Sequence, residues 1–147
     1  MGDDEQQPPM SALCLDVTLP CEVRYLPVLN RLAEQAVDYT GYDKMVRAEM
    51  LRVVEAAVRR VLDSEAYQKV GLRLATTDSD MLIRIRCFHA ATVERSMSIE
   101  QLLSKADADE TPLGRLRQVM TTVTLGCEEG EDRADFCELT KALPKAL

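Results

Sequence analysis

Apolar residues recur along this chain at two different periods, and the changes of period mark its elements. Leu13, Leu15, Val17 and Leu19 alternate with Cys14, Asp16 and Thr18, a period of two that predicts a strand stopped by Pro20. From Glu22 to about Tyr39 the spacing becomes helical, with Leu26, Leu29, Leu32, Ala33, Ala36 and Val37 as the core stripe. Pro27 lacks an N–H and clashes with the turn before it, so the regular helix either starts there or is kinked there. Gly41 suits the end of that helix. Asp43 to Asp63 then reads as a helix of about five turns, its first N–H groups capped by the Asp43 carboxylate. Val46, Met50, Val53, Val54, Ala57, Val58, Val61 and Leu62 cover one broad side of it, and Glu49, Arg52, Glu55, Arg59 and Arg60 the other. So wide an apolar face calls for a large partner, a sheet.

Two alternating runs follow, Val70-Leu72-Leu74 and Met81-Ile83-Ile85-Cys87, joined by turn chemistry at Thr76-Thr77-Asp78-Ser79-Asp80. This is a β-hairpin with one core face and one wet face, where Arg84 and Arg86 are expected to be solvated. Ser98 to Lys105 predicts a short helix, with Ser98 as cap and Gln101 three residues on. Leu113 to Met120 predicts another helix, and Val123 and Leu125 a strand near Thr121–Gly126. Glu128 to Arg133 is a charged turn. Ala134 to Lys141 is the last strand, with Phe136 in one phase and Cys137 and Leu139 in the other. The order β-α-α-β-β-(α)-α-β-β predicts an α/β fold of the α+β kind: a two-layer sandwich, its mixed, mostly antiparallel sheet carrying helices on one face.

A chain of 147 residues supports one domain, here residues 11–147, behind an acidic, proline-ended tail of residues 1–10 that is expected to be disordered. Ala106 to Thr111 is acidic and expected to be mobile. The net charge of −7 argues against a nucleic-acid surface. The exception is local: Arg47, Arg52, Arg59 and Arg60 share one helix and can serve an acidic partner. Five cysteines without a C-x-x-C pair, and a single histidine, argue against a metal site, so the cysteines read as small buried hydrophobes in a reducing compartment. No stretch approaches the ~18 apolar residues of a membrane span, and the acidic start is unlike a secretory leader; a cytoplasmic protein without membrane contact is expected. His89 reads as a loop or core-edge histidine rather than a base or phosphoacceptor, and no nucleophilic triad can be assembled around Ser96 or Ser98.

The strand ending at Leu19-Pro20, followed by Tyr25-Leu26-Pro27-Val28, Leu32 and Gly41, resembles the start of the bacterial anti-sigma-factor serine kinases. These belong to the GHKL superfamily of ATP-binding domains, which also includes the ATPase (HATPase) domains of histidine kinases. Val123-Thr124-Leu125 and Cys137-Glu138-Leu139-Thr140-Lys141-Ala142-Leu143 resemble their last two strands. The resemblance spans about Leu13 to Leu143 and implies a Bergerat-like fold. It implies as partners sigma factors or the anti-sigma antagonists of a partner-switching system, and self-association as a homodimer.

The family's polar motifs are mostly replaced. Glu55 matches its helix glutamate, but Arg59 stands where an asparagine holds the Mg²⁺ of ATP, and a guanidinium has no lone pair to offer a metal. Cys87-Phe88-His89-Ala90-Ala91 stands where the family has D-x-G-x-G, so a poor acceptor replaces the adenine-binding carboxylate and the glycines are gone. Glu110-Thr111-Pro112, with Gly114 nearby, stands where G-x-G gives backbone N–H groups to phosphate; glutamate repels phosphate and proline removes a donor. No metal or cofactor is therefore expected, Glu55, Arg59, Cys87, His89, Ala91, Glu110 and Pro112 being vestigial positions. The implied function is a non-catalytic regulatory protein-binding module in transcription control. The alternative is an active, ATP-dependent anti-sigma-factor serine/threonine kinase with unusual nucleotide ligands, using ATP and Mg, with Glu55 as the catalytic residue.

Overall fold

The computed structural model describes residues 13–64, 66–89, 98–105, 110–129 and 133–144; the 1–10 tail and Ala91 lie outside them. Strand β1 (Cys14–Pro20) leads through one 3₁₀ turn (Val23–Tyr25) into helix α1 (Leu26–Thr40) and then α2 (Lys44–Asp63). Strands β2 (Lys69–Thr76) and β3 (Asp80–Phe88) form the hairpin. Short helices α3 (Ile99–Leu103) and α4 (Pro112–Val119) follow, then β4 (Thr122–Glu128) and β5 (Ala134–Ala142). Pro27 falls in the first turn of α1, where its missing N–H costs nothing. Regular helix therefore begins just before Pro27 and no kink is needed.

The helix boundaries follow from local chemistry. Gly41 closes α1 with φ +89°, a conformation a Cβ would strain. Asp43 then caps α2, its Oδ1 accepting from Val46 N–H at 3.0 Å. Ser98 and Gln101 form a reciprocal capping box on α3.

The five strands order as β1-β2-β3-β5-β4, and every pairing is antiparallel. The helices cover one face, making the two-layer sandwich. Val70, Leu72, Leu74, Met81, Ile83, Ile85, Cys87, Cys137 and Leu139 point inward and are buried, as are Met50, Val53, Val54, Ala57, Val58, Val61 and Leu62 of α2. The apolar cover thins at the β1 edge, because α1 packs over β2; Leu15 stays 36 % exposed.

The open face differs from the solvated one expected. Arg84 and Arg86 keep only 23 % and 27 % of their side chains exposed. Arg86 forks onto Glu128 at 2.7 and 3.2 Å. Arg84 reaches Glu128 and Glu138 at 3.4 and 3.6 Å and lies 3.9 Å from the centre of the Phe136 ring. Cross-strand neighbours on a flat sheet face meet laterally, so acids from β4 and β5 cover the arginines where no helix does. The Phe136 ring lies across Gly126, where an added Cβ would approach it to 2.7 Å.

The cysteines also depart from the all-buried expectation. Cys87 and Cys137 are buried, Cys21 is half-buried, and Cys14 and Cys127 are exposed on the two edge strands.

Candidate functional site

The polar side of α2 forms one wall of a groove of about 510 Å³. Arg52, Glu55, Arg59, Arg60 and Asp63 recur along it at helical spacing, and Pro112, the first residue of α4, forms the opposite wall. The position of α4 follows from its own sequence. Thr111 accepts from Gly114 N–H at 2.9 Å to cap it, and Leu113 and Leu116 bury its other side. Helix α3 is held alongside by Arg60, whose Nη1 donates to the carbonyls of Leu102 and Lys105 at 3.1 and 3.0 Å.

Of the positions singled out in the sequence, Glu55, Arg59 and Pro112 meet around this groove. Arg59 Nη2 donates to Glu55 Oε2 at 3.1 Å, and both side chains are about half exposed, at 54 % and 42 %. Glu110, beside the groove in sequence, pairs with Arg115 at 3.0 Å. Cys87 does not reach the groove. It lies in the core at 0 % exposure, and burial above all, with the charges of Cys21, Asp135 and Cys137, pushes its thiol well above its ordinary value. His89 sits elsewhere too, at the end of β3. Because the Glu55–Arg59 pair is exposed, Glu55→Gln should cost under ~1 kcal/mol; a larger drop in denaturant midpoint would give Glu55 a role beyond this pair.

A second polar cluster lies at the corner of the sheet and escaped the reading of the sequence. Asp135 of β5 is the buried charged residue among those described, at 2 % exposure. It accepts from Tyr67 Oη at 2.9 Å and from Cys127 Sγ at 3.2 Å. His89 Nε2 lies 3.3 Å from the same carboxylate, at an angle too poor for a full hydrogen bond. Burial alone would raise the Asp135 carboxyl. The hydrogen bonds from Cys127 and Tyr67, with the close approach and charge of His89, outweigh burial and hold the carboxyl below its ordinary value. The available signal was phase: residue 135 shares the inward register of Cys137 and Leu139, and an inward Asp needs partners. A cavity of about 180 Å³ opens beside it, between Ser98–Glu100 and Leu125–Cys127.

Among the described residues, no group of three or more His, Cys, Asp or Glu side chains is arranged to hold a metal, and no helix is long and apolar enough to cross a membrane. In comparisons with known proteins, no protein-family model and no curated protein matches the chain.

Proposed function

We propose that this domain is a non-catalytic, GHKL-like regulatory module that binds a protein partner in the cytoplasm, its nucleotide site lost. By the resemblance, the partner is a sigma factor or an anti-sigma antagonist, and the module self-associates. One observation carries the reading. Glu55 and Arg59, one turn apart on α2, line a single groove with the distant Pro112, and Arg59 and Pro112 present chemistry unsuited to ATP and Mg²⁺. Arg59, which the resemblance aligns with the asparagine that holds Mg²⁺, has no lone pair for a metal and pairs with Glu55. Pro112 offers no N–H to a phosphate. The adenine partner expected at Cys87 is a protonated, fully buried thiol. The element order, β-α-α-β-β-α-α-β-β, agrees with that of the family resembled.

The three losses fall on different parts of the ligand, so their costs add. At ~2 kcal/mol each they weaken binding by about four orders of magnitude, enough to make a micromolar site undetectable. Millimolar ATP or ADP with Mg²⁺ should therefore give no thermal shift and no phosphotransfer to an added protein. Calorimetric binding of ATP at micromolar concentration would instead favour the kinase, with Glu55 as the first residue to mutate.

A further inference from the structure

We propose that the groove between α2 and α4 docks an acidic segment of the protein partner, its carboxylates held chiefly by Arg52, with Arg59 and Arg60 beside it; this rests on the binding-module reading and names the chemistry of its ligand. Five of the seven described residues lining the groove are ionisable, three arginines against two acids. Those described residues carry a charge of +1 on a chain whose net charge is −7. The positive charge is also the less neutralised. Arg52 is exposed and makes no ion pair among the described residues. Arg60 spends its Nη1 on two neutral carbonyls, which fix the guanidinium in place without cancelling its charge. Only Arg59 is paired, to Glu55 through Nη2. Of the other acids, Asp63 lies about 16 Å along the helix from Arg52 and Glu49, one turn before Arg52, is exposed and does not line the groove among the described residues, so Arg52 is the groove's unpaired cation. Arg47, on the same helix, is taken out of this surface by its pair with Asp38 of α1 at 3.1 Å.

The shape favours a protein segment over a small molecule. Small-molecule sites are mostly apolar and bury most of the ligand. Among the described residues this groove is walled by five charged side chains, Ala56 and Pro112, with Arg59 half in solvent, so its occupant is covered on one side only. A segment laid across two helices fits that, and guanidinium forks match carboxylates two bonds at a time. A nucleic acid is disfavoured by the net charge and by the lack of a longer basic track.

The test uses the full chain and a fluorescein-labelled polyglutamate peptide, read by anisotropy, with a polylysine peptide and inorganic triphosphate as the other arms. Polyglutamate should bind and polylysine should not, and binding should weaken as salt rises. Arg52→Glu should weaken it roughly tenfold or more, Arg52→Lys less. Arg31→Glu, the same charge change on the exposed side of α1, should leave it intact. Arg52 is exposed, so the variant is expected to keep the wild-type circular dichroism. Absence of polyglutamate binding, equal loss in the Arg31 and Arg52 variants, or displacement of the peptide by micromolar triphosphate would each overturn the proposal, the last by making this a small-anion site. Failure with ATP still unbound leaves the binding-module reading standing; micromolar ATP binding brings that reading down instead.

Discussion

Val54→Asp is expected to cost several kcal/mol and to leave little folded protein at 37 °C. Val54 is 2 % exposed, in the middle of the α2 face that packs on the sheet, with Val53, Ala57 and Val58 between 0 and 4 % around it. A carboxylate there loses its water and finds no cation, because Arg52, Arg59 and Arg60 lie on the polar side of α2 and Arg47, two turns away, is held by Asp38. The charge must be buried unpaired, neutralised by protonation, or exposed by unfolding. Each route costs a large part of the 5–15 kcal/mol that stabilises an ordinary domain. Circular dichroism and thermal unfolding would read the effect against Glu55→Gln, one residue further on and at the edge of the polar face, which should melt like the wild type. Equal melting temperatures for the two variants would show that the buried face of α2 has been misplaced.

The second large effect is expected at Asp135. Asp135→Ala removes the acceptor that Tyr67 reaches at 2.9 Å and Cys127 at 3.2 Å, deep in a corner where four chain segments meet. Loss of a buried, multiply bonded carboxylate should cost about 2–4 kcal/mol at pH 7. The same group makes a pH signature. Its folded-state value is held below the unfolded one, which is near 3.9. Its stabilisation is therefore complete above the unfolded value and disappears as pH falls through the folded value. Wild-type stability should fall in acid below about pH 4, and the Asp135→Ala variant should lack that component. Urea midpoints from pH 7 down to pH 3 measure both. Parallel curves would mean that the buried carboxylate contributes nothing through its ionisation.

Much of this molecule was determined within short stretches of sequence. The period of two at Val70–Leu74 and Met81–Cys87 and the helical period across Asp43–Asp63 set strands and helices, because each element must bury one face. Gly41, Asp43, Ser98 and Gln101 set helix ends, because a cap satisfies backbone groups within a few residues of itself. The Glu55–Arg59 pair was legible for the same reason, its partners being one helical turn apart.

What the sequence left open depends on partners distant along the chain. Insertion of β5 between β3 and β4 is not written in the period of any strand, since each buries the same face wherever it pairs. The pairing of Arg86 with Glu128 spans 42 residues, so an alternating pattern alone showed only a polar arginine and not its covered ion pair. Tyr67 and Asp135 are 68 residues apart. Only the sheet's register sets Asp135 opposite Cys87 and Cys127 and brings the Tyr67 hydroxyl to it. The groove itself is tertiary in the same sense. Arg52, Glu55 and Arg59 share a face of α2 by local geometry, but Pro112 joins them because α4 buries Leu113 and Leu116 in the common core. Local periodicity determined which side chains are presented; burial of distant apolar faces against one another decided which of them meet.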